Sequence, residues 1–110
     1  MRPTDSKRGQ RLADNMMQEL GRLLVEEAAD PRLELVTVSG VRLNADLSLA
    51  EVYVTFQGGS EREAEVMAGL TKAKGFLRTR MGRVMKLRRT PDLRFLRDEY
   101  LEGMVYEPPT

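Results

Sequence analysis

Apolar positions fall into distinct patterns along the chain. Leu12, Met16, Leu20, Leu23 and Leu24 recur at helical spacing, marking one face of a helix from about Ser6 to Ala29. Asp5 or Ser6 is placed to cap its start. Asp30-Pro31 ends it, because the residue before a proline is pushed out of the α region. LELVTVSGVRL then reads as a strand whose parity shifts midway. Val36 and Val38 share one face, Val41 and Leu43 share the other, and Ser39-Gly40 sits between. A phase slip at a glycine predicts a β-bulge. Asn44-Ala45-Asp46 is a turn. LAEVYVTF alternates strictly, with Ala50, Val52, Val54 and Phe56 on one face, so the two strands form an antiparallel hairpin.

Helical spacing returns after Gln57-Gly58-Gly59. Ser60 and Glu63 have the spacing of a capping box, followed by Val66, Met67, Leu70 and Ala73. A further stripe of Phe76, Leu77, Met81, Val84 and Leu87 runs up to Thr90-Pro91. The two stripes do not join in simple register, and Ala73-Lys74-Gly75 lies between them. Glycine is poorer than alanine inside a helix by roughly 1 kcal/mol, so a kink is predicted there. LRFLR is a short third strand. The order α-β-β-α-kink-α-β predicts a two-layer α+β domain with helices over one side of a three-stranded mixed sheet. Residues 1–5 read as a mobile basic arm, 6–99 as the domain, and 100–110 as a short loose tail.

Composition acts by exclusion. The 110 residues suit one domain, and the chain has no Cys and no His. That removes thiol and imidazole metal sites and the nucleophilic triads built on those residues. No apolar run approaches the ~20 residues that cross a bilayer, and MRPTDSKRGQ lacks a signal peptide's apolar segment, so the cytoplasm is the expected compartment and no membrane role is expected. Neither a cofactor nor a metal is expected.

Charge adds more. The formal net charge is only +1, yet residues 72–97 hold ten basic side chains and one acid, Asp92. Residues 12–71 are strongly acidic. Crowded like charge costs stability unless an anion relieves it, and arginine's planar fork suits phosphate. On a helical projection of residues 76–89, Arg78, Thr79, Gly82, Arg83, Lys86 and Arg89 fall opposite the apolar face. Lys72 and Lys74 flank the predicted kink, where Gly75 permits close backbone approach and a new helix N-terminus would face an anion. Lys7 and Arg8 add charge near the arm. Arg80 projects near the apolar side and must snorkel or pair. The few aromatics, Phe76 included, fall mostly on core faces, so recognition of a phosphate-bearing partner by backbone and shape is expected rather than base-by-base readout.

At this point two longer patterns come together. DPRLELVTVSGVRLNADLSLAEVYVTF and LTKAKGFLRTRMGRVMKLRRTPDLRFLRDE resemble the bacterial ribosome-binding factor A family over roughly residues 6–99. The resemblance implies a type II KH-like domain in which Ala73-Lys74-Gly75 replaces the usual GxxG loop. It further implies a non-enzymatic assembly factor that binds the 30S subunit and its 16S rRNA during late maturation and rRNA processing and supports growth in the cold. Its implied partners extend to small-subunit ribosomal proteins and assembly GTPases, and it would act as a monomer. Asn44 stands where family members often carry Ser, another turn former.

Two other readings compete. One is a protein-interaction module using the acids Glu19, Glu26, Glu27 and Asp30 against basic ribosomal proteins. The other is a carboxylate-and-metal nuclease using Asp46 or Asp98-Glu99. Asp46 reads better as a local turn cap, and no acid pair has spacing that compels a metal site.

Overall fold

A computed structural model describes residues 1–100 of the chain. The elements are α1 (Lys7–Glu26), a 3₁₀ turn (Pro31–Leu33), β1 (Thr37–Leu43), β2 (Leu49–Thr55), α2 (Ser60–Val84) and β3 (Asp92–Arg97). The sheet order is β1-β2-β3, with β1 antiparallel and β3 parallel to β2. The parallel pair follows from connectivity: α2 carries the chain from the far end of β2 back to the start of β3. Both helices lie on one face of the sheet, α1 against β1 and α2 against β3 and the 3₁₀ turn.

Ser6 caps α1, its side chain accepting from the Gly9 amide at 3.0 Å. The apolar stripe is buried at Met16, Leu20, Leu23 and Leu24, and Gly9 and Ala13 extend it where the helix lies close. The helix stops at Glu26 rather than Ala29, because the amides of both Glu27 and Ala28 turn back onto the Leu23 carbonyl. The bulge is present: the β1–β2 register shifts between Val38 and Gly40. The slip brings Val38 and Leu43 to the same buried face, opposite Val54 and Ala50. Asp98 closes over the bulge, its carboxylate accepting from Ser39 Oγ at 2.7 Å.

Four expectations need correcting. The arm is held: Thr4 donates to the Leu43 carbonyl, Ala45 donates to the Arg2 carbonyl (both 2.8 Å), and Pro3 bridges Asn44. The edge of β1 thus binds the segment expected to be mobile. The Ser60–Glu63 capping box does not form. The chain enters α2 through Gly58, at φ 122°, and Gly59, the N-cap, so Ser60 is already helical and Glu63 instead lies 3.6 Å from Arg97. The kink at Ala73-Lys74-Gly75 does not divide the helix, which runs unbroken from Ser60 to Val84. Val66, Leu70, Leu77 and Met81 are fully buried and Ala73 packs among them, one stripe at intervals of three and four. Reading Phe76 as a core residue had hidden that register; it is 42% exposed. A continuous buried face outweighs one glycine's helix penalty, since truncating a single buried leucine costs about 2–5 kcal/mol. Lastly, the helix ends five residues before Arg89. Lys86 takes the left-handed conformation (φ 56°), and Lys86 and Leu87 donate back to Arg83 and Gly82 in a Schellman cap. The tail expected at 100–110 lies outside the described residues beyond Tyr100.

Candidate nucleic-acid interface

The C-terminal half of α2 divides its cations among three directions. Toward β3 point Lys74 and Arg78. Lys74 Nζ is 3.2 Å from Asp92 Oδ1, and Arg78 donates to the carbonyls of Thr90 (2.9 Å) and Pro91 (3.0 Å). Gly82, one turn on, is bare where Thr90 packs against the helix. Lys74 and Arg78 therefore clamp the loop between α2 and β3. The ammonium of Lys74 holds the Asp92 carboxyl below the usual carboxylate range. Toward α1 points Arg80, which pairs with Glu27, its Nε buried without a hydrogen-bond partner. Arg80 thus pairs as well as reaching outward.

Outward point Lys72 and Arg83, both exposed. Past the helix end, Lys86, Arg88 and Arg89 are exposed in the loop 85–91. Among the described residues, none of these five makes an ion pair. The helical projection placed Lys86 and Arg89 on the face of Arg83; they belong instead to the turn beyond the Schellman cap.

Backbone bonds bring this loop and the N-terminus to one end of the sheet. The Asp92 amide, just after the loop, donates to the Ser48 carbonyl of the hairpin turn at 2.9 Å. The same turn binds the arm through Ala45 and Asn44. Lys7 and Arg8, exposed in the first turn of α1, stand at that end. The fold therefore gathers Lys7, Arg8, Arg83, Lys86 and Arg89 near one pole. Lys72 lies roughly 16 Å from Arg83 along the helix axis, and Gly75 lies between them, exposed with open space around it. Arg88 was missed by the helical projection; its adjacency to Arg89 before Thr90-Pro91 was the available signal.

Two of the acids considered for metal chemistry, Asp46 and Asp98, have structural partners, Asp98 through Ser39 Oγ at 2.7 Å. Asp46 accepts from the Ser48 amide at 3.1 Å, and the bonds to Ser48 lower its pKa, as a turn cap requires. Asp30, from the acidic set considered for protein contact, accepts from the Arg32 amide and side chain, which hold its carboxyl down at about 2.

A two-layer α+β domain with exposed, unpaired cations drawn to one pole is the class of protein this structure defines. Comparison with known proteins resolves it further. The family model Ribosome-binding factor A matches residues 8–106. Ribosome-binding factor A from Thiobacillus denitrificans is 39% identical over 104 residues, covering 94% of this chain and 84% of that protein. The crystal structure of ribosome-binding factor A from Thermus thermophilus superposes with a TM-score of 0.68 at 33% identity, over 79% of this chain and 92% of that one. A homology model of the Thermus thermophilus protein, fitted into a cryo-EM map of a 30S–ribosome-binding factor A complex, gives 0.68 at 31% identity over 83% and 96%. This chain belongs to the ribosome-binding factor A family.

Proposed function

We propose that the protein is a non-catalytic assembly factor that binds the 30S subunit through its 16S rRNA during late maturation and rRNA processing, acts in the cytoplasm as a monomer, and supports growth in the cold. The observation that carries RNA contact is the set of exposed cations that make no ion pair among the described residues, Lys72, Arg83, Lys86 and Arg89, with Lys7 and Arg8 at the same pole as the loop. The binding of its Thermus relative to the 30S subunit supports the choice of target. Within the proposed RNA face, Lys74 and Arg78 act chiefly by holding the loop that presents Lys86 and Arg89. Gly75 offers a bare backbone surface beside Lys72. The KH-like reading locates this surface on α2, with an unbroken helix at Ala73-Lys74-Gly75.

Each phosphate contact releases counterions, so affinity falls with salt at a slope of about −0.7 per contact on single strands. Arg83→Glu with Arg89→Glu should weaken binding to a 16S rRNA fragment and flatten that slope by about 1.4, at unchanged thermal stability. Glu61→Lys, on the exposed first turn of α2, should not weaken it. A salt titration of the three proteins decides the matter: equal slopes for wild type and the double variant would reduce these cations to a solvated surface.

A further inference from the structure

Phe76 raises a question that the charge pattern does not answer. Among the described residues it is the one exposed phenylalanine, Phe56 being buried and Phe95 half-buried. It stands on the rim of a cleft of about 490 Å³ between the end of α1, the 3₁₀ turn and the middle of α2. Ala28, Ala29, Leu33 and Ala73 contribute apolar walls, and Lys72 stands at its edge. The volume falls in the range of small-ligand sites, and the combination of apolar walls with a few charged groups is typical of them.

The electrostatics of the cleft are unequal. Its two carboxylates are engaged, Glu27 by Arg80 and Asp30 by Arg32, the latter through hydrogen bonds of 2.6–3.1 Å. Lys72 makes no ion pair among the described residues and acts on Asp30 only as a weaker, longer-range charge than Arg32, so the unpaired charge in the cleft is positive. Lys72 and Phe76 are four residues apart on one helix face, so their backbone positions stand roughly 6 Å apart along the axis. That offset matches a nucleotide, whose base and phosphate are separated by a ribose. Gly75 adds no side chain, and none of the described residues lies within 4 Å of where one would begin.

We infer that this cleft takes an unpaired RNA base, stacked on Phe76, with its phosphate on Lys72. An apolar protein segment would fill the walls but leave the ammonium unmatched, whereas a nucleotide satisfies both. The inference rests on the RNA-binding reading above and adds to it a base-contacting seat away from the cationic pole.

The test uses single-stranded oligo(A) and oligo(U) hexanucleotides and a 16S rRNA fragment, with the full-length protein. Stacking is lost when the ring is removed, so Phe76→Ala should weaken hexanucleotide binding about five- to hundredfold. Its salt slope should not change, because stacking releases no counterions. Phe76→Trp should retain binding. Ala29→Trp, which fills the cleft from an exposed wall, should weaken binding and supplies a second variant if Phe76→Ala does not fold. Wild-type affinity in both folded variants, with loss in Arg83→Glu/Arg89→Glu, would overturn the seat and leave the RNA reading standing. Wild-type affinity in all of them would overturn both. Unchanged RNA affinity in Phe76→Ala together with lost binding to RNA-stripped 30S proteins would make the cleft a protein seat and overturn the inference.

Discussion

Two flanks of one helix carry the same residue types to opposite ends. On the β3 side of α2, Lys74 and Arg78 spend their charge inside the molecule, on Asp92 and on two loop carbonyls. On the outward side, Lys72 and Arg83 make no ion pair among the described residues, and the loop beyond adds Lys86, Arg88 and Arg89. A block of ten cations is therefore not one surface. Part of it is internal scaffolding, and what it supports is the presentation of the rest. The difference is set by angle: residues 74, 78 and 82 face the strand that follows, while 72, 79 and 83 are turned about 100° or more away.

The sharpest way to break this contrast is to remove one cation from each side. Arg78 supplies the donors for the Thr90 and Pro91 carbonyls, and charged hydrogen bonds contribute about 1.5–3 kcal/mol when well shielded. Its side chain is 39% exposed, which reduces that figure, so Arg78→Ala should destabilise by about 1–2 kcal/mol in urea unfolding. Arg83→Ala should stay within about 0.5 kcal/mol. Equal effects at the two sites would erase the distinction. Arg78→Ala should also weaken RNA binding at temperatures where it remains folded, because Lys86 and Arg89 lose their tether.

The contrast also shows where the sequence is legible. Order, strand pairing and the bulge follow from alternation and one misplaced glycine, which are local signals. The expected face of Arg78 does not, because the carbonyls that bind it belong to Thr90 and Pro91, and whether that loop folds back is a tertiary matter. The predicted break rests on Gly75 and on counting Phe76 with the core, whereas the buried stripe runs through Ala73 and Leu77 and leaves Phe76 about 100° to one side. Lys86 was projected onto a helix because nothing in its residue type announces a left-handed C-cap, a position usually taken by glycine.

Two glycine substitutions sharpen the comparison at smaller scale. Gly75 has open space around it inside a continuous helix, so Gly75→Ala should stabilise by about 0.5–1 kcal/mol. A destabilised Gly75→Ala would show that the helix needs glycine there after all. Lys86 holds a left-handed conformation that costs a side-chain-bearing residue about 1 kcal/mol or more. Lys86→Gly relieves that, with part of the gain offset by glycine's freer unfolded chain, so stability should rise by up to about 0.5 kcal/mol while RNA affinity falls. Parallel urea melts and binding curves separate the two effects. A variant that gains neither stability nor loses affinity would remove Lys86 from both roles.

The smallest effect concerns pH, and it contrasts a pair placed inside the fold's own framework with cations that make no ion pair among the described residues. Asp30 normally titrates near 3.8, but its bonds from Arg32 hold it at about 2 in the folded protein. A carboxyl with a lowered folded pKa contributes stability that is fully present above its unfolded value and lost as pH falls through the folded one. The window is therefore from about pH 4 to pH 2. Asp92, lowered by Lys74, acts in the same direction. Asp30→Asn keeps an acceptor for the Arg32 amide but has no charge to lose. Wild type should melt slightly above Asp30→Asn at pH 6, and the gap should close as pH approaches 2. The pair is partly open to solvent, so the gap should also narrow in high salt. A difference in melting temperature that stays constant from pH 6 to pH 2 would mean that the Asp30 charge adds nothing beyond the cap, leaving Arg32 as free to meet an anion as Lys72.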